Sequence, residues 1–157
     1  MTFQVTASIP VTPDVVADIV NDGFFPDIIV ATARDLVRLD GTITSARLRD
    51  GLVEAITSVN DELNTYKLQQ IAAGYLTLED VPASNIDGIN RNIHRYNRAV
   101  FCLTKANLIE RYRDYDSSSE GNKRADELEP TAGDFRRDYR WAISDLLGKG
   151  RTTIELI

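Results

Sequence analysis

The side chains able to do chemistry are few in this sequence, and their spacing narrows what that chemistry could be. His94 is its only histidine and Cys102 its only cysteine. A Ser-His-Asp triad needs an imidazole held between a nucleophile and a carboxylate, and a zinc cage needs three or four Cys or His ligands. His94 falls at the edge of an apolar helical arc, where packing or partner contact suits it better than catalysis. Cys102 has no second thiol or imidazole near it in sequence to activate it as a nucleophile. Carboxylates at helical spacing occur at Asp134/Asp138 and Asp126/Glu129, a pattern that can hold magnesium on a helix face. Each pair stands beside arginines (Arg124, Arg136, Arg137), and ion pairing along the helix accounts for them more simply. The sequence contains no glycine-rich phosphate-binding pattern. These residues predict no enzyme, no cofactor and no bound metal. A helical nucleotide hydrolase built on the acid pairs is the competing catalytic reading, and magnesium-dependent release of pyrophosphate would reveal it.

Charge is more organised than chemistry. The 157 residues carry 18 Lys and Arg against 24 Asp and Glu, a net charge of −6, and the pI is near 4.8. Residues 1–90 hold 5 basic and 13 acidic side chains, whereas 91–157 hold 13 and 11. Arg91, Arg95, Arg98 and Lys105 fall within about 80° on a helical wheel, and Asp50, Glu54 and Asp61 within about 40° on another. Both could be solvated faces. Alternatively, the acidic face of one copy meets the basic face of the next, a heterologous contact that closes into a ring if the rotation suits. Trp141, off its helix's core stripe, is of a type enriched at interfaces. The acidic pI opposes broad, sequence-independent DNA binding, which needs a basic footprint. A nucleic-acid-binding module using only the basic stripe is the second functional class, and a salt-dependent DNA shift would expose it.

Helices must position these faces. The alternation of Phe3, Val5, Ala7, Ile9 and Val11 predicts an extended arm. NDGFFPDI (21–28) reads as a turn, with Phe24 and Phe25 pointing to opposite sides, one into the core and the other outward or under the N-terminal arm. A short helix is expected over Thr32 to Leu39. From Thr44 to Ala73 the pattern is one long helix, with Thr44 as N-cap, Gly74 just past its end, and Leu48, Leu52, Ala55, Ile56, Val59, Leu63 and Tyr66 on one face. Gly51 inside it is an unfavourable helical residue by about 1 kcal/mol. Gly74 to Gly88 reads as a connector with one short turn at Thr77–Val81. Ile89 to Tyr115 forms a third helix whose apolar arc (Ile93, Tyr96, Val100, Phe101, Leu103, Leu108, Tyr112, Tyr115) is wide enough for more than one neighbour. After a loop, DSSSEG (116–121), a last helix spans Asn122 to Leu147, carrying Leu128, Phe135, Tyr139, Ala142 and Leu146 in one phase. Pro130 either kinks it or starts a second, collinear helix. The predicted fold is all-α: a small bundle of one short and three long helices with extended arms at both ends. Its divisions are an N-terminal arm (1–20), a helical domain (21–148) and a C-terminal tail (149–157). A chain of this mass can bury about two-thirds of its unfolded surface without disulfide or metal. No apolar run is long enough to span a membrane, and the first residues do not form a signal peptide, so a soluble, cytosolic chain is expected.

With its segments laid out, the chain resembles the gpL-like family of tailed-phage head completion proteins. The resemblance runs from Asn21 to the C-terminus through NDGFFPDI (21–28), RLDGTITSARLRDGL (38–52), AAGYLTLEDVPA (72–83), HRYNRAVFCLTKANLIERYRDYD (94–116), RADELE (124–129) and RRDYRWAISDLLGKGRTTIELI (136–157). None is a catalytic signature; number, order and spacing make the match specific. Pro130 departs from the family pattern, and the first twenty residues match poorly. The resemblance implies a structural virion protein that joins the portal vertex after genome packaging, stabilises the filled head and prepares it for tail joining. By similarity to helical head-tail connectors, it implies a ring of twelve copies on the portal. Its partners would be the portal protein, its own copies, a tail-side neck or terminator protein, and packaged DNA passing through the channel. It would be made in the host cytoplasm and reside at the head-tail junction of the virion, with no membrane contact. Asn21, Asp22, Gly23, Phe24, Phe25 and Pro26 form the family's turn motif.

The C-terminal segment has its own logic. Gly148 and Gly150 end the last helix, and Arg151, Thr152, Thr153, Ile154, Glu155, Leu156 and Ile157 are β-prone and partly apolar. Extended, the segment can pair with a partner's strand edge while Ile154 and Leu156 fill pockets and Arg151 meets an acidic partner or DNA. This predicts a portal-docking tail. The opposing reading folds Ile154 and Leu156 back onto the chain's own core.

Overall fold

The computed structural model describes residues 17–37, 43–112 and 131–151. Thr44 starts the first long helix as its sequence suggests: in extended conformation, its side chain accepts a hydrogen bond from the Arg47 N–H at 3.3 Å. That helix, α2 (Ser45–Glu62), follows a short α1 (Val30–Val37). The expected single helix to Ala73 is broken at Leu63, whose φ of −90° and ψ of 3° depart from helical values. A separate α3 (Asn64–Ala72) continues from it, and Gly74 closes α3 at a positive φ of 98°. Leu63 is fully buried, so α2 stays on the core up to the break, whereas α3 has no buried residue and packs on the core through the partly buried Tyr66.

The connector holds more structure than its composition suggests. Asp87 and Gly88, both at positive φ, turn a small hairpin of β1 (Asn85–Ile86) and β2 (Ile89–Asn90), with Ile86 opposite Ile89. Two positive φ values are what a tight hairpin turn requires. The third long helix, α4 (Arg91–Tyr112), therefore begins two residues later than expected. Asn90 prepares its start by accepting from the Asn92 N–H at 2.8 Å while its amide donates to the Glu79 and Val81 carbonyls, both at 2.9 Å. His94 Nε2 lies 3.0 Å from the Ile86 carbonyl oxygen, tying the hairpin to α4. The last described helix, α5 (Ala132–Leu146), opens with a capping box: Thr131 accepts from the Asp134 N–H, and Asp134 accepts from the Thr131 N–H. Thr131 is extended, so the helix does not run on from residue 130 as one kinked rod, and the last helix begins at Ala132 rather than at Pro130. Pro130 itself, Leu128, Tyr115, Asp126, Glu129, the 116–121 loop, most of the N-terminal arm and Thr152–Ile157 lie outside the described residues.

The architecture is thus mostly helical, with five helices and one two-stranded sheet among the described residues. Helix α4 lies between α2 and α5 and runs antiparallel to both. Gly51 of α2 faces Thr104 and Leu108 of α4, whereas Asn60 meets Tyr96; Arg98 of α4 meets Asp138 of α5, whereas Glu110 meets Arg136. One core joins Leu48, Leu52, Ala55, Ile56 and Val59 of α2 with Tyr96, Ala99, Val100, Leu103 and Leu108 of α4 and with Ala142, Ile143 and Leu146 of α5. Gly51 earns its place here. A Cβ on it would stand 3.3 Å from Leu108 Cδ2, so the small residue lets α2 and α4 approach closely. Among the described residues no helix is long and apolar enough to cross a membrane.

Candidate assembly surfaces

The 21–28 turn is built around two short polar side chains. Asp22 Oδ1 accepts from the N–H groups of Phe24 and Phe25 at 3.0 and 3.1 Å, curling the chain, and Gly23 sits at φ 86°. The curl overturns the expectation that only one phenylalanine enters the core: both are 3% exposed and part of it, because residues 23–25 bend and the strand-like alternation of sides does not apply. Their rings meet edge to face at 5.0 Å, and Phe25 stacks on Tyr96 at 4.7 Å. Asn21 Nδ2 donates to Tyr96 Oη at 2.8 Å, Tyr96 Oη to Asn60 Oδ1 at 2.7 Å, and Asn60 Nδ2 back to Asn21 Oδ1 at 2.8 Å. This closed cycle joins the turn to α2 and α4. Burial pushes the Tyr96 hydroxyl far above its ordinary pKa, so it stays a neutral donor. Lys67 of α3 pairs with Asp22 Oδ2 at 2.8 Å. Burial alone would raise the Asp22 carboxyl, but the bonds from Lys67, Phe25 and Phe24 prevail and hold it below the usual carboxylate range. The Phe24 carbonyl accepts from the Leu78 N–H at 2.8 Å, and Ile19 and Ile28 exchange backbone bonds at 2.9 Å, closing the motif against its surroundings.

Part of each charged face meets a partner within the chain. On α2, Glu54 pairs with Arg111 at 2.5 Å and Asp50 lies 3.8 Å from the same guanidinium. On α4, Arg98 pairs with Asp138 of α5 at 3.3 Å. Asp61 and Arg91 are exposed and form no ion pair among the described residues, and Arg95 is half-buried. The basic stripe is therefore flanked by α5, which brings Asp138 and Asp145 alongside it. Cys102, on the same side of α4, is half-buried; burial and then Asp138 raise its thiol, which keeps it protonated rather than reactive. A bidentate bond from Arg136 to Glu110, at 2.9 and 2.5 Å, ties α5 to α4 further along. Asp134, expected as one of a pair of acids, is committed to the cap of α5 and to Arg137 at 2.8 Å. Among the described residues no three His, Cys, Asp or Glu side chains are grouped to hold a metal ion.

At the end of α5, Trp141 is half-buried, with the Arg137 and Arg151 guanidinium carbons 4.9 and 5.2 Å from its ring centroid. Arg151 also forks onto Asp145. Asn60, Lys67, Tyr96 and Arg111 had no part in any site read from the sequence. Tyr96 was legible only as one member of an apolar arc, and nothing local marks the other three.

A closed polar turn locking a helical core, with charged seams on its outer faces, makes this a small, mostly helical protein. The chain belongs to the phage head completion protein (GPL) family, whose family model matches residues 19–157. It is similar to the head completion/stabilization protein of Escherichia phage P2, at 42% identity over 137 residues covering 87% of this chain and 81% of that protein. The resemblance read from the motifs is borne out. No solved structure matches the chain.

Proposed function

We propose that this chain is a structural virion protein that completes and stabilises the DNA-filled phage head, binding as a ring of twelve copies at the portal vertex in readiness for tail joining. The observation that carries the reading is the 42% identity, over 87% of the chain, to a head completion/stabilization protein. Its partners are the portal protein, its own copies, a tail-side neck or terminator protein, and packaged DNA passing through the channel. The C-terminal tail, residues 151–157, docks on the portal. Asp50, Glu54 and Asp61 of one copy face Arg91, Arg95 and Arg98 of the next. Asp61 and Arg91, with no ion pair among the described residues, are the pair best placed to bridge copies. Glu54 and Arg98 would share partners they already have. Exposed pairs contribute about 0–1 kcal/mol each, so they set register rather than hold the ring.

Electron microscopy of the purified chain mixed with its portal protein tests the reading. A ring of density on the portal is expected, and a portal that stays bare at saturating protein overturns it. For the seam, Asp61→Lys and Arg91→Glu should each weaken ring formation and together partly restore it. Strictly additive losses would mean the two residues never meet.

A further inference from the structure

The point where the chain leaves α5 is held by several independent bonds. Gly148, at φ 67°, donates its N–H to the Asp145 carbonyl at 3.3 Å, and Lys149 donates to the Ser144 carbonyl at 2.9 Å, a helix-ending cap that glycine permits. Arg151 then folds back. Its Nε and Nη2 donate to the two Asp145 carboxylate oxygens at 3.0 and 2.6 Å, a planar fork on a planar acceptor. The same guanidinium lies 5.2 Å from the Trp141 ring centroid, and Arg137, itself bonded to Asp134 at 2.8 Å, stands 4.9 Å from that ring. Asp134, Arg137, Trp141 and Asp145 recur every three or four residues and so share one face of α5. The hydrogen bond from Arg151 holds the Asp145 carboxyl below the usual carboxylate range, with Arg95 and Arg98 of α4 adding to the field.

We propose that Arg151 is a positioning residue whose clasp on Asp145 and Trp141 fixes where residues 152–157 leave α5, so that this segment meets the portal from a preset point. The inference rests on the docking role given to that segment above. An arginine fork that both hydrogen-bonds a carboxylate and lies over an aromatic ring directs its charge inside the chain and leaves less for a partner. A segment anchored at its root also has less freedom to lose on docking, which strengthens binding without any new contact. Arg151 thus acts through the tail it orients, in place of the direct contact to partner or DNA that its position in the sequence suggests.

Trp141 is the chain's only tryptophan, so its emission reports the clasp directly. In the isolated full chain, Arg151→Ala and Asp145→Ala should each shift that emission while helicity by circular dichroism is unchanged. Arg151→Lys, which keeps the charge and loses the fork, should restore the emission only in part. Against portal protein, each alanine variant should bind about two- to tenfold more weakly, and the double variant no more weakly than either. Unchanged emission in both alanine variants overturns the clasp. So does wild-type binding by Asp145→Ala, which leaves Arg151 in place, alongside weakened binding by Arg151→Ala, because Arg151 would then touch the partner itself. A chain ending at Arg151 should keep its emission and lose portal binding; if it binds undiminished, the docking reading falls while the emission still judges the clasp.

Discussion

The 21–28 turn and the seam between α4 and α5 both fasten remote parts of the chain, by opposite means. The turn relies mainly on two buried phenylalanines, a stacked tyrosine and neutral amide and hydroxyl groups bonded in a cycle, with Asp22–Lys67 as its one ion pair among the described residues. The seam uses ion pairs such as Arg98–Asp138 and Arg136–Glu110, whose side chains keep 31–46% of their surface exposed. Buried neutral bonds are costly to leave unmade and indifferent to salt. Exposed ion pairs are weak, screened by salt and easily exchanged for other partners. The first arrangement makes a fixed body; the second makes a surface whose pairs exchange readily, as the inter-copy contacts proposed above require.

The sharpest way to break this contrast is to empty the turn. Phe24→Ala and Phe25→Ala should each destabilise the chain by about 3–5 kcal/mol in urea unfolding, since both rings are buried. A small effect for either would mean that its side of the turn can collapse. Next in size, Tyr96→Phe keeps the stack on Phe25 and removes the hydroxyl at the centre of the cycle. The half-buried Asn60 and Asn21 groups it leaves short of a partner should lower stability by about 1–2 kcal/mol, with no added dependence on salt. Gly51→Val, by pushing α2 off Leu108, should cost a similar amount, about 1–3 kcal/mol, and would show that close helix approach matters as much as the turn.

Acid should reach the turn through one group. The Asp22 carboxyl is held below its ordinary value of 3.8, so it binds protons less readily folded than unfolded. Its contribution is therefore complete above that value and disappears as pH falls through it toward the lower folded pKa. In unfolding curves taken across that range, Asp22→Asn should remove part of the acid sensitivity; an unchanged pH slope would mean that Lys67 and the turn do not depend on the charge. The smallest effect belongs to the surface. Glu54→Gln, which leaves Arg111 the longer contact to Asp50, should change stability by about 0–1 kcal/mol, and the difference should vanish in high salt. A larger, salt-resistant loss would remove the distinction between turn and seam.

Much of this molecule was open to reading along the chain. Helical period marked the buried faces of α2 and α4, Thr44 and Gly74 marked where the helical stretch starts and stops, and the order of the motifs identified the family. These are local properties: a cap or a 3.6-residue period is set by residues a few positions apart. Asp87-Gly88 between two isoleucines is a local signal for the hairpin, although the composition of residues 74–88 by itself suggests only a connector. The break at Leu63, the inward placement of both phenylalanines, the need for Gly51 and the choice of ionic partners came only with the tertiary structure. Asn21 bonds residues 39 and 75 positions away, and no period or spacing encodes such a meeting. It depends on how closely α2 and α4 cross, which the whole core decides at once. The charges follow the same rule: the acids and arginines were visible in sequence, but that Arg98 reaches Asp138 within the chain depends on where α5 packs.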